Sequence, residues 1–440
     1  MLQILTHRTY RHLFLAQVIA LIGTGLATVA LGLLAYDLAG ADAGAVLGTA
    51  LAIKMIAYVG VAPIAVAVAE RLPRRAMLVS LDLIRAAVAV ALPFVTQIWE
   101  VYLLIFVLQS ASAAFTPTFQ ATIPDVLPDE KEYTRALSLS RLAYDLESVV
   151  SPMLAAALLT VISFHSLFAG PVAGFLASAA LVVSVVLPSP KATDQRAIYD
   201  RTTRGLRIYL ATPRLRGLLA LHLATAAASS MVIVNTVVLV QAEFGLTQRA
   251  TALALAAFGG GSMLSAFVLP PLLDRVPERR AMFVGASLLA CALALGSFVQ
   301  TYTLLLPLWF ILGIGCALAQ TPSGRLLRRS SQPEDRPALF AAQFALTHAC
   351  WLLTYPLAGW LGAEVGLSFT FAALALIAVG ALIMATGLWP VADPSVIEHV
   401  HDALDPDHPH IVGADQVTGG HRHVHAFVID SHHREWPPTR

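Results

Sequence analysis

Residues 70–75 read Glu70-Arg71-Leu72-Pro73-Arg74-Arg75, and residues 274–280 read Asp274-Arg275-Val276-Pro277-Glu278-Arg279-Arg280. In each the acid is followed by an arginine, a proline and then an arginine pair, and each follows an apolar run long enough to cross a bilayer. Working outward from them, runs of about 20 or more apolar residues, the length a helix needs to span the hydrocarbon, lie near 13–38, 44–69, 75–97, 101–123, 137–162 and 165–187. Six more lie near 215–241, 249–273, 280–300, 302–324, 337–362 and 366–389. The two basic stretches therefore follow spans two and eight, six spans apart, as expected of a duplicated six-helix unit.

Composition agrees. With 57% hydrophobic and 12% charged residues in 440, the chain carries more apolar surface than a soluble core of this size can hide. Net charge is +1, but 25 of the 28 Lys and Arg fall on one face of the alternating topology; Arg249 stands on the other, and Lys54 and Arg85 lie inside spans. This asymmetry places both termini in the cytoplasm and is not the footprint of a nucleic-acid binder. The first run is too long for a signal-peptide core and reads as a retained helix. Cys291, Cys316 and Cys350 stand far apart in apolar stretches, offering neither a disulfide framework nor a CxxC site. The chain has no GxxxxGK run and no HExxH, so neither a nucleotide-driven pump nor the commonest metallopeptidase is expected; it is not read as an enzyme. The expected organisation is an N-terminal half (1–187), a cytoplasmic linker (188–213), a C-terminal half (214–390) and a histidine-rich cytoplasmic tail (391–440).

The loop after span two resembles the G-x-L-x-D-R-x-x-R-R signature of the major facilitator superfamily, with Val66 at the glycine place and Glu70 at the aspartate place; the second copy keeps Asp274 and has Pro270 at the glycine place. The resemblance implies an all-α fold of twelve helices in two pseudo-symmetric halves. It also implies that Glu70, Arg71, Asp274 and Arg275 act at the cytoplasmic gate and not on substrate.

Polar side chains inside a span are costly unless they face a cavity or a partner. Span one carries Gln17, Thr24 and Thr28; span four carries Gln109, Ser112, Thr116 and Gln120; span seven carries His222, Thr225 and Ser229; span ten carries Cys316 and Gln320. Each set has helical spacing, and these four spans line the central cavity in the superfamily the chain resembles. Hydrogen bonding between helices is the competing explanation for any one Ser or Thr. Asp82 with Arg85 and Arg141 with Asp145 are spaced to neutralise one another on one helix face. Glu147 has no basic partner on its own turn and is a candidate proton or cation carrier. Lys54 is expected to be structural, snorkelling or pairing with Asp37. His222 and His348, facing one cavity, would suit a transition metal or proton exchange; the alternative for each is a buried ring satisfied by a backbone carbonyl. Cys350 is turned away from His348.

Past Pro390, nine of the fourteen histidines fall between 399 and 433, at His399, His401, His408, His410, His421, His423, His425, His432 and His433, four H-x-H steps among them. An extended H-x-H puts both imidazoles on one face, and with Glu398, Asp402, Asp405 and Asp407 nearby the tail reads as a flexible N/O ligand set for Ni(II), Co(II), Zn(II) or Cu(II). It would serve as an antenna or a sensor beside the transport site.

The stretch Thr321 to Trp360 and the tail ending HVHAFVIDSHHREWP look like the nickel-resistance efflux permeases of that superfamily. This implies export of Ni(II), and of Co(II) as a further substrate, from the bacterial cytoplasm by proton antiport, with His348 and Arg325 inside the shared stretch; the polar residues of the spans themselves point to Glu147, His222 and His348 as the core and to Gln17, Gln109 and Gln320 along the pathway. Partners would be a divalent metal ion, protons and the lipid bilayer, with no resident cofactor, no nucleic acid and a monomeric state. The rivals are an exporter of an organic solute, a drug or siderophore, with a regulatory metal-binding tail, and a metal sensor that does not transport.

Overall fold

A computed structural model describes the chain apart from residues 1, 70–72, 130–131, 133–135, 137–138, 141–142, 144–146, 148–149, 152, 188–197, 274, 333–334, 395, 402–410, 412–414, 418–419, 431–432, 434–435 and 438–440. Spans one to four are Arg8–Ala39, Ala43–Ala69, Arg74–Ala91 and Ile98–Val126. The described residues between 132 and 158 are nearly all helical and belong to span five; span six is Ala169–Val183, preceded by the short turn Phe164–Leu167. Spans seven to ten are Pro213–Val237, Gln248–Leu273, Glu278–Gly296 and Tyr302–Gln320; spans eleven and twelve are Arg336–Glu364 and Leu367–Leu388. Among the described residues nine stretches are long and apolar enough to cross a membrane, the first of them, Arg8–Val61, running through spans one and two together.

The duplication is visible in packing. Span one lies against six, two against four, and three against four and six; seven against twelve, eight against ten, and nine against ten and twelve repeat that arrangement. Between the halves, spans two and eleven make the most extensive contact. Their outer ends meet backbone to backbone: a Cβ on Gly359 would stand 2.2 Å from the Gly44 carbonyl oxygen, and one on Gly48 would stand 2.6 Å from that of Tyr355. Nearby, Arg249 donates to the carbonyls of Leu159 (2.9 Å) and Thr160 (2.6 Å), and the Trp360 indole donates to Thr49 (3.1 Å).

The linker contains a helix, Ile198–Ala211, that lies along span eleven. Gly205 permits the approach, since a Cβ there would stand 2.1 Å from the Ala338 carbonyl oxygen, and Arg204 pairs with Asp335 at 2.7 Å. The tail is not a flexible chain throughout. Strands β1 (Val396–His401), β2 (Asp415–Val417) and β3 (Gly420–Ala426) form an antiparallel sheet in the order β1-β3-β2. The register sets His399 opposite His423, His401 opposite His421 and Ile397 opposite His425. After β3 the chain turns onto the bundle, where Phe427 and Ile429 join the apolar core shared by both halves.

Candidate functional site

The period-2 geometry of the tail strands puts His399 and His401 of β1 on the same sheet face as His421, His423 and His425 of β3, because directly opposed residues share a face. His433 returns from beyond the sheet to the same point. Ligating atoms of His399, His423, His425 and His433 all lie within 4.8 Å of one another. The Nε2 of His399 stands 2.9 Å from that of His433, 3.1 Å from that of His423 and 3.2 Å from that of His401.

Hydrogen bonds on the far side of two rings decide what these contacts are. His399 Nδ1 donates to the Ile397 carbonyl at 3.1 Å, and His433 Nδ1 donates to the Asp430 carboxylate at 2.9 Å. In their neutral forms both rings therefore turn an Nε2 lone pair toward the other. A proton could satisfy one such pair, but a single nitrogen cannot serve three neighbours by hydrogen bonding. A metal ion serves all of them at once: metal–nitrogen bonds of about 2.0–2.1 Å imply ligand–ligand edges of about 2.8–3.4 Å, from square or octahedral to tetrahedral geometry. Burial, and then the surrounding imidazoles, push His423 down to about 4 from the ordinary 6.5; His399 is lowered also, with burial again the largest cause. Both shifts keep the rings neutral and ready to bind. Asp430 fixes ring orientation as a carboxylate behind a metal-bound histidine does.

Of the acids expected to join the imidazoles, Glu398 is the one among the described residues. Glu398 points to the other sheet face and pairs with Arg422 at 3.5 Å, so among the described residues the cluster is made of imidazoles. His408, His410 and His432, with Asp402, Asp405 and Asp407, lie outside the described residues.

Inside the membrane the three core candidates do not converge. His222 is fully used: Nδ1 donates to the Leu218 carbonyl (3.0 Å), Nε2 accepts from the Gln343 amide (3.2 Å), and Tyr209 of the linker helix donates to the Gln343 oxygen (2.5 Å). Its lone pair is spent on span eleven. His348 faces the other way, its Nδ1 donating to the Phe344 carbonyl at 2.7 Å and its ring stacked 5.3 Å from Tyr58 among Phe344 and Trp351. Lys54 lies over the same Tyr58, 5.8 Å from its centroid, and within electrostatic reach of both Glu147 and His348. Glu147 thus lies within electrostatic reach of Lys54, whereas Asp37 is exposed. Glu147 turns toward span one, where a Cβ on Gly25 would stand 2.5 Å from its Oε1.

Lys54, Thr24, Thr28, Gln109 and Ser112 line a cavity of about 20 Å³ within the N-terminal half, room for a water molecule or an ion. Gln17 is instead glue between helices, accepting from Ser140 of span five at 2.9 Å. Gln320 is half-buried at the end of span ten; the side chains of Thr116 and Gln120 are outside those described. Asp82 and Arg85 pair as expected, with Ser178 of span six donating to Asp82 at 2.7 Å and Arg85 lying 4.0 Å over Phe115.

Of the four gate residues, Glu70, Arg71 and Asp274 lie outside the described residues, and Arg275 is exposed. Among the described residues, two further acids are engaged at this end of the C-terminal half. Glu278 pairs with Arg325 (3.3 Å) and Arg329 (3.9 Å), and Asp393 pairs with Arg329 and with Arg214 (3.5 Å). Sequence reasoning passed over both acids, although Glu278 stands within the repeated stretch itself.

Comparison with known proteins agrees with the packing symmetry. Residues 13–239 and 218–403 match the family described as Major Facilitator Superfamily. The uncharacterised MFS-type transporter YfiS of Bacillus subtilis (strain 168) is 23% identical over 354 residues, covering 76% of this chain and 81% of its own length. Macrolide efflux protein A of Streptococcus pyogenes is 27% identical over 152 residues, 32% of this chain and 37% of that protein. Among solved structures, an inward-facing, unoccupied bacterial homologue of the human lysosomal transporter Spinster superposes with a TM-score of 0.69 at 14% identity, covering 88% of this chain and 99% of that one. A D-xylose–proton symporter gives 0.63 at 13% identity, covering 88% and 97%; at such identities the likeness is one of fold. With the duplicated loops, the repeated helix pairing and a family match along most of its length, this chain belongs to the Major Facilitator Superfamily: it is a multi-pass membrane transporter and not an enzyme.

Proposed function

We propose that this transporter exports a divalent transition metal, Ni(II) or Co(II), from the bacterial cytoplasm across the cytoplasmic membrane in exchange for protons, acting as a monomer without a resident cofactor. The observation that carries the reading is the tail cluster, in which His399 and His433 turn Nε2 atoms 2.9 Å apart while each Nδ1 is held by an acceptor. All-imidazole ligation favours Ni, Co, Zn and Cu over Mg or Ca. The cluster sits at the arginine-rich, cytoplasmic end and would capture the ion before it enters between the halves. There His348, whose Nε2 is not the nitrogen tied to its own backbone, and Glu147 flank Lys54. Protonation would release a metal held by imidazole or carboxylate, giving the exchange its direction on the more acidic side.

A second reading, export of an organic solute with a metal-regulated tail, is favoured by the aromatic lining around His348 and the lysine beside it, and by the partial similarity to a macrolide efflux protein. Intracellular nickel, cobalt and zinc, measured at graded external metal, separate the two. The test compares cells expressing the intact protein, a chain ending at Pro390 and His348→Ala. Metal export predicts lower nickel or cobalt with the intact protein, a weaker effect on truncation and none with His348→Ala. Unchanged levels of all three metals would overturn it in favour of the organic solute.

A further inference from the structure

The tail cluster stands at one end of an unbroken chain of contacts into the bundle. The Phe427 ring lies 5.0 Å from His399 and 4.6 Å from His433, and Trp436 meets the same ring edge-on at 5.0 Å. Trp436 in turn covers the guanidinium of Arg214, 4.8 Å away, at the root of span seven. Arg214 is 1% exposed, and its neighbouring carboxylate, Asp393, is 3.5 Å distant. Asp393 also holds Arg329 beyond span ten and accepts from the Trp389 indole at 3.1 Å, just past span twelve. Arg329 and Arg325 reach Glu278 at the start of span nine, and Arg279 beside it donates to the Trp389 carbonyl at 3.0 Å.

A buried guanidinium is tolerated only while its charge is compensated, so the position of Trp436 and Asp393 bears on the ends of four spans. Metal binding adds free energy only to conformations in which β1 and His433 are together. Those are the conformations in which Phe427 and Trp436 are seated. We infer that metal occupancy of the tail braces the cytoplasmic face of the C-terminal half, joining spans seven, nine, ten and twelve through Phe427, Trp436 and Arg214, so that the ion regulates the carrier that meets it. This rests on the reading of the tail as a metal site. By reciprocity the braced arrangement binds the ion more tightly than the unbraced one.

The test is hydrogen–deuterium exchange of the full chain in lipid nanodiscs with and without Ni(II), alongside calorimetric nickel binding. The brace predicts that nickel slows exchange about tenfold in 213–218, 278–282, 325–331 and 389–393 as well as in the tail. Trp436→Ala is expected to bind nickel at unchanged stoichiometry while losing protection in the four bundle segments, and Trp436→Phe to restore it. Protection confined to 396–433, or the same bundle protection in Trp436→Ala, would overturn the brace while leaving the metal site standing. Failure of the intact chain to bind nickel at all would overturn the tail reading and the brace with it.

Discussion

Two of the settings of histidine in this chain give its second nitrogen opposite fates. In span seven, His222 spends one nitrogen on its own helix and the other on Gln343, which Tyr209 steadies. In the tail, His399 and His433 spend Nδ1 on an acceptor and bring Nε2 to a shared point. A buried imidazole with both nitrogens committed is part of the frame; several with one nitrogen each left converging form a ligand set. Location in the membrane does not by itself make a histidine functional.

The comparison is broken most directly by exchanging the fates. His399→Ala is expected to weaken Ni(II) binding by the intact protein at least about 100-fold, since a ligand is lost outright; calorimetry showing less than a few-fold change would remove His399 from the site. His222→Ala is expected to leave nickel binding to the tail unchanged and to cost about 1–3 kcal/mol of stability, by leaving Gln343 without its acceptor. Thermal unfolding in detergent measures this, and a drop in tail nickel affinity with no change in melting would reverse the assignment. Asp430→Asn tests the outer layer: weakening Nδ1 orientation without removing a ligand should lower affinity about tenfold, and an effect equal to that of His399→Ala would make Asp430 a ligand.

The smallest effect is in pH. His423 titrates at about 4 in the folded tail against 6.5 for an ordinary imidazole. The unfolded strand therefore takes up a proton that the folded cluster refuses as pH falls from 6.5 toward 4. The contribution of His423 to stability of the metal-free tail is present above 6.5 and lost across that window. Trp436 fluorescence, followed against pH in the metal-free protein, is expected to change over that window, and a profile flat between 7 and 4 would contradict it.

Much of the fold is legible in the sequence because lipid imposes it: a span must be long and apolar, and its flanking arginines record its orientation. The H-x-H steps were legible for a similar reason, since strand geometry alone puts His421, His423 and His425 on one side. What could not be read were pairings between distant positions. His433 meets His399 across 34 positions, and Asp430 and Phe427 acquire their roles only when the chain folds back. Lys54 comes within electrostatic reach of Glu147, 93 positions away in sequence, which spacing on a single helix does not reveal. The pairings of Glu278 and Asp393 are not legible because their arginines, Arg325, Arg329 and Arg214, stand far away along the chain.

The contact between Gly44 and Gly359 has a consequence for the transport cycle. Among the described residues no ion pair joins the halves at this outer end; they are held by backbone proximity, by Arg249 on two carbonyls and by the Trp360–Thr49 bond. A closure of this kind depends on shape more than on charge, so external salt and moderate changes of external pH have little purchase on it. One added methyl does: Gly359→Ala would wedge the outer ends of spans two and eleven apart and raise the share of time the carrier spends open to the outside.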